Sequence, residues 1–193
     1  MMWNDGTSKG FRSYSSLALR VPHECRGICD EAMRALYANG FLNTLILSPP
    51  GGGKTTALRE MIRCISDRGT RISVCDERGE LAASEGTIPG FDLGRHTDVL
   101  SACPKAEAAM MLLRGMNPQI IALDEITRRE DLAAVQEVVG CGVGLLATAH
   151  AASIKDLDSR PLYRKLLALG AFQAALVISI HGDSREYSWS LLS

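Results

Sequence analysis

The stretch that most limits what this chain can fold into is residues 42–56, LNTLILSPPGGGKTT. Leu45, Ile46 and Leu47 make an apolar run suited to a strand buried on both faces, and Ala57 to Ile62 beyond the break has the character of a helix opening. Gly51, Gly52 and Gly53 lack a β-carbon, so the backbone between strand and helix can take left-handed angles and turn its N–H groups inward around a phosphate. The positive end of the following helix favours the same charge. Lys54 then carries a mobile ammonium to the outer phosphates, and the Thr55 hydroxyl is placed to ligate magnesium. Pro50, Gly51, Gly52, Gly53, Lys54, Thr55 and Thr56 are therefore the expected nucleotide-binding residues. The pattern is G-x-x-x-x-G-K-[ST], with Ser48 standing where its first glycine belongs.

A second motif completes the chemistry. In Gln119 to Glu125, QIIALDE, four apolar residues predict a buried central strand, with Asp124 and Glu125 at its carboxyl end. That is the edge on which the phosphate loop also opens. In nucleotide hydrolases the first carboxylate of such a pair holds magnesium through its water shell and the second polarises the attacking water. Thr55 and Asp124 are thus the expected metal residues. Polar residues at the end of the later strand, Thr148-Ala149-His150, can reach a terminal phosphate.

The rest of the chain fits one α/β domain. Its 193 residues, 46% hydrophobic and 22% charged, allow one real core and leave no room for two large ones. A net charge of −1 gives no general attraction to nucleic acid, so none is expected as a partner. No apolar run reaches the ~18–20 residues of a membrane span, and MMWNDGTSKGF lacks the apolar core of a signal peptide, so a cytoplasmic location is expected. Six scattered cysteines without a C-x-x-C pair read as reduced thiols. His23, Cys25 and Cys29 lack an evident fourth ligand and read as packed or exposed side chains rather than a metal site.

Residues 1–12 are expected to be flexible, with 13–193 forming the domain. Ser16 to Val21 alternates as a strand stopped by Pro22, and Cys25 to Tyr37 has helical spacing ended by Asn39-Gly40. A second core strand, Arg71 to Cys75, runs into Asp76-Glu77-Arg78-Gly79-Glu80, carboxylates at the edge where ligands bind in a parallel sheet. Residues 83–103 show no sustained period and read as one long functional loop. Pro104 opens a helix whose Ala, Met and Leu positions leave little exposed surface, broken at Asn117-Pro118. A helix from Glu130 to Val139, a strand over 143–147 and a helix from Asp156 to Leu169 follow. Strands Ala174 to Ile180 and Glu186 to Leu191 close the chain as a hairpin around His181-Gly182-Asp183-Ser184.

The segments YSSLALRVPHECRG, LILSPPGGGKTTALRE, VCDERGELAA, GRHTDVLSACPKAEAAMMLLRGMNPQIIALDE and LLATAHA strongly resemble the stage III sporulation protein AA family, ATPases of endospore-forming bacteria. The resemblance covers roughly residues 13–182. That family is similar in turn to the hexameric ATPases of type II and type IV secretion systems. It implies a RecA-like P-loop NTPase core: a mostly parallel sheet flanked by helices, with a short N-terminal strand–helix extension and a C-terminal hairpin. It also implies ATP and Mg²⁺ as cofactors, and Lys54, Glu125, Glu80 and His150 in catalytic roles. Asp76 and Glu77 are alternatives to Glu80 in the acidic box, and His150 matches the histidine that contacts the terminal phosphate. Arg95, Arg114 and Arg128 are candidates for charge stabilisation, including across a subunit boundary. The implied partners are copies of the chain in a hexamer and membrane proteins of the channel joining mother cell and forespore, with the protein peripheral at the mother-cell side of the forespore membrane. Family members carry a further N-terminal region, so this chain is expected to be a short form or one excised domain. A nucleotide-gated scaffold, a small-molecule or nucleoside kinase, and a DNA-stimulated motor are the rival readings.

Overall fold

The computed structural model describes residues 3–4, 7–8, 16, 23–38, 40–84 and 90–192. The elements are β1 (Trp3–Asn4), β2 (Thr7–Ser8), α1 (Asp30–Ala38), β3 (Thr44–Ser48), α2 (Lys54–Asp67), β4 (Ile72–Asp76), β5 (Thr97–Ser101) and α3 (Lys105–Gly115). They continue with β6 (Ile120–Glu125), α4 (Arg129–Gly140), β7 (Gly144–His150), α5 (Ile154–Ser159), α6 (Pro161–Ala168), β8 (Ala174–His181) and β9 (Ser184–Leu191). Apart from Ser16, the strand expected over 16–21 and its stop at Pro22 lie outside the described residues, as does Asn39. Within the expected flexible start, β1 pairs antiparallel with β2.

Seven strands form one sheet in the order β5-β4-β6-β7-β3-β8-β9. All are parallel to their neighbours except β9, which returns antiparallel along β8. Alternation along each strand divides the core into two layers, because successive side chains point to opposite faces. In β3, Ile46 joins Leu58, Met61, Ile62 and Ile65 of α2 and Met33 and Leu36 of α1. Leu45 and Leu47 point the other way, into a layer with Leu112 of α3, Val135 and Val138 of α4 and Tyr163 and Leu166 of α6. Strands covered on both faces must be apolar nearly throughout, which is why β3, β4 and β6 stand out in the sequence.

Four expectations need correction. The loop expected over 83–103 contains β5, an edge strand with a neighbour on one side only and every residue at least partly exposed. Helix α3 is not closed over, since Met111 remains 59% exposed and Met116, just past its end, 50%. The helix expected from Asp156 to Leu169 is two. Pro161 sits at the first turn of α6 and forces Arg160 into extended geometry (φ −108°, ψ 123°), ending α5. The helix expected from Cys25 begins at Asp30, after a turn in which the Gly27 N–H donates to Glu60 Oε1 at 2.7 Å.

Candidate active site

The phosphate loop joins β3 to α2 at the carboxyl edge of the sheet. Gly51 and Gly53 take positive φ of 75° and 99°, a region that an L side chain resists. Gly52 lies outside that region and is needed for a different reason. A β-carbon there would lie 1.8 Å from Ser48 Oγ, which is buried and donates to the Pro49 carbonyl at 2.7 Å. The space a glycine at position 48 would leave is thus recovered at position 52.

Lys54 is buried, and its ammonium lies 2.8 Å from His150 Nδ1. An ammonium can only donate, so Nδ1 accepts and Nε2 carries the ring proton. Nε2 lies 3.0 Å from Glu125 Oε1. The ends of β3–α2, β7 and β6 are therefore joined in one line, Lys54–His150–Glu125. Register in β6 shifts between Leu123 and Glu125 opposite β7, so Asp124 is the extra residue of a bulge. Bulges of this kind re-aim neighbouring side chains at strand ends. Asp124 is buried, and that burial raises its pKa, with the negative charges of Asp76 and Glu80 adding to the rise and the Glu125 N–H and Lys105 opposing it.

The three acidic-box candidates part company. Asp76 is fully buried and spends its carboxylate on the N–H groups of Leu81 and Ala82, at 3.1 and 2.9 Å. It holds the loop after β4 in place. Glu77 pairs with Lys105 at 2.6 Å and Arg128 at 3.3 Å, the Lys105 hydrogen bond outweighing desolvation to hold its carboxyl below the usual range. Glu80 is exposed, and the buried Arg59 fixes it through the backbone, donating to the carbonyls of Glu80 and Leu81 at 3.1 and 3.0 Å. Of the three, Glu80 has its carboxylate directed to no partner among the described residues.

Arg95 and Arg114 do not join these groups. Arg95 precedes β5 at its amino end and Arg114 lies in the last turn of α3, before the amino end of β6, both exposed. A five-residue strand spans about 17 Å, which puts both arginines at the far edge of the sheet. Arg128 follows β6 on the loop side but is engaged with Glu77. His23 and Cys25 are exposed, whereas Cys29 is buried and donates to the Ala57 carbonyl, its thiol pushed up to about 12 by burial. No group of three or more His, Cys, Asp or Glu among the described residues is placed to hold a metal ion.

Sequence reading missed Arg185. At the start of β9 its Nε donates to the Gly52 carbonyl at 3.2 Å, which ties the β8–β9 hairpin to the phosphate loop. It missed Tyr163 as well, whose hydroxyl accepts from the His150 N–H and donates to the Ile126 carbonyl, each at 3.2 Å. Arg185 carries no local signal, being an exposed arginine in a hairpin. Tyr163 shows only as one more apolar position of a helix.

Solved structures share this fold. The Brucella suis VirB11 ATPase of a type IV secretion system, solved with sulphate, superposes with a TM-score of 0.59 at 18% identity, over 85% of this chain and 53% of that one. The pilus retraction motor PilT, solved with ADP, gives 0.59 at 18% identity, over 92% and 54%. At such identities the likeness concerns the fold. In sequence, the stage III sporulation protein AA of Bacillus subtilis (strain 168) is 40% identical over 181 residues, 91% of this chain. The chain spans 59% of that relative's length. An uncharacterized ycf45 protein of Porphyra purpurea is 33% identical over 126 residues, 64% of this chain and 22% of its own. Residues 3–187 match the family described as sporulation stage III, protein AA. With nearly its whole length inside that match, the chain belongs to the sporulation stage III protein AA family.

Proposed function

We propose that the protein is a magnesium-dependent ATPase. The observation that carries this reading is the line from Lys54 through His150 to Glu125, beside a buried Asp124 and a loop whose glycines open its backbone to phosphate. Backbone N–H groups of residues 51–55 and the Lys54 ammonium bind the β- and γ-phosphates, with Pro50 and Thr56 flanking them. The Thr55 hydroxyl and the buried Asp124 carboxylate are hard oxygen donors of the kind magnesium takes. That ion, when bound, neutralises charge on the transferred phosphate.

Glu125 orients water for in-line attack on the terminal phosphorus; the bond to the leaving oxygen breaks and the water proton passes to the carboxylate. For Lys54 to reach the phosphates it leaves His150 Nδ1, which frees the ring to meet the γ-phosphate and report its presence. Glu80 is the carboxylate left to act from the neighbouring loop. Arg95 and Arg114, on the far edge, serve only from a neighbouring copy in a ring. Among the described residues no helix is long and apolar enough to cross a membrane, which suits an engine docked on membrane partners of the mother cell–forespore channel. The test is hydrolysis by Glu125→Gln, expected to fall by ~10² or more while ATP binding persists. Lys54→Ala should lose binding itself. Unchanged turnover in Glu125→Gln refutes the assignment. Phosphate release that requires an acceptor molecule would favour a kinase.

A further inference from the structure

The β6–β7 ladder is broken at one rung and mended by a side chain from elsewhere. In a parallel ladder a residue donates its N–H to one neighbour and accepts at its C=O from the residue two positions further on. The Ile126 N–H donates to the Thr148 carbonyl at 2.9 Å, so the next rung should run from the His150 N–H to the Ile126 carbonyl. The Tyr163 hydroxyl stands in between, accepting from the one and donating to the other at 3.2 Å each. Its residue is 4% exposed, and burial raises the phenol's pKa, which keeps it a neutral donor. The His150 carbonyl is held in turn by Arg160 Nη1 at 2.8 Å. Both backbone polar groups of His150 are thus fixed by residues at the α5–α6 junction.

The hydroxyl acts as a spacer. Without it the rung would close from two linked 3.2 Å contacts to a single one of about 2.9 Å, or admit water in a different place. Either change moves the end of β7, and with it the His150 ring, relative to Glu125, whose contact at 3.0 Å depends on that separation. We propose that Tyr163 is a positioning residue for hydrolysis: its hydroxyl, spliced between Ile126 and His150, sets the spacing that aims Glu125 at the attacking water. The proposal rests on the ATPase reading above. It also makes the α5–α6 junction the element that feels His150 move, since Arg160 and Tyr163 grip that residue from the same junction.

The experiment compares turnover and the dissociation constant for a non-hydrolysable ATP analogue in the parent, Tyr163→Phe, Glu125→Gln and the double variant. Misplacing a reacting group by about an ångström can cost ~10²-fold, so Tyr163→Phe should lose about 10- to 100-fold in turnover, with analogue affinity held within about twofold. Added to Glu125→Gln it should cost nothing more, because the group it positions is already gone. Hydrogen exchange should change at the His150 amide and not across the sheet. Arg160→Gln, which frees the His150 carbonyl from the protein surface, should show a milder form of the same split and serves if Tyr163→Phe does not fold. The proposal is overturned by parent-like turnover in Tyr163→Phe alongside an inactive Glu125→Gln, by parallel losses of affinity and turnover, or by an undiminished effect in the double variant. If Glu125→Gln hydrolyses ATP like the parent, the ATPase assignment itself has failed and takes this inference with it.

Discussion

Replacing Gly52 by alanine isolates a single methyl group set against Ser48. Because Gly52 is not in a left-handed conformation, alanine can take its backbone angles, and the whole penalty is a matter of space. The added carbon would lie 1.8 Å from Ser48 Oγ, 3.0 Å from Ser48 Cβ and 3.1 Å from the Pro49 carbonyl. Turning the serine relieves the first contact but gives up its 2.7 Å bond to Pro49, worth ~0.5–1.5 kcal/mol. The Cβ contact survives any rotation, and overpacking a buried position costs a further ~1–3 kcal/mol. Together these predict a loss of roughly 2–4 kcal/mol, read as a shifted urea midpoint at unchanged slope. Ser48→Gly restores the loop's usual glycine and should rescue Gly52→Ala. The pair is expected to be non-additive by about 1–2 kcal/mol, well above the ~0.5 kcal/mol scatter of independent sites. A Gly52→Ala protein as stable as the parent, or a double variant no better than the single one, refutes the account of how Ser48 is tolerated.

Arg185→Ala removes one charge-assisted bond to the loop from an exposed position and is expected to weaken ADP binding by about 3- to 10-fold; an unchanged constant by calorimetry would show the contact to be incidental. Burial would raise the Glu60 pKa, but Arg63 and the Gly27 N–H outweigh it and hold the carboxyl below the usual range. A carboxyl depressed on folding stabilises the protein above its unfolded value of ~4.3, and that contribution disappears as pH falls through the folded value. Denaturant titrations stepped downward from neutral should therefore show the parent losing more stability across the acid window than Glu60→Gln, and parallel curves would count against the pair.

The sequence was most informative where physics leaves least choice. Strands β3, β4 and β6 are buried on both faces, so they appear as nearly unbroken apolar runs, and the glycines and carboxylates after them follow from the position of those runs. Thr97–Ser101 escaped notice because an edge strand need not be apolar. The acid-rich stretch after β4 was legible as lying at the carboxyl end of that strand. That Asp76 is consumed by Leu81 and Ala82 while Glu80 stays exposed depends on how the loop folds back, which no spacing reveals. Arg185 lies 133 residues from the carbonyl it supports, and Tyr163 lies 13 from one partner and 37 from the other. Such contacts are products of topology, and local pattern carries no trace of them.

The position of β3 in the sheet has a consequence for how the protein is made. Its neighbours are β7, which begins at Gly144, and β8, which begins at Ala174. During synthesis, the strand that carries the phosphate loop must therefore wait without a strand partner until the chain as far as β7 has left the ribosome. The loop gains the Arg185 contact only when the β8–β9 hairpin turns back to Gly52. A nascent chain thus holds the glycine-rich motif long before that loop is fixed in place.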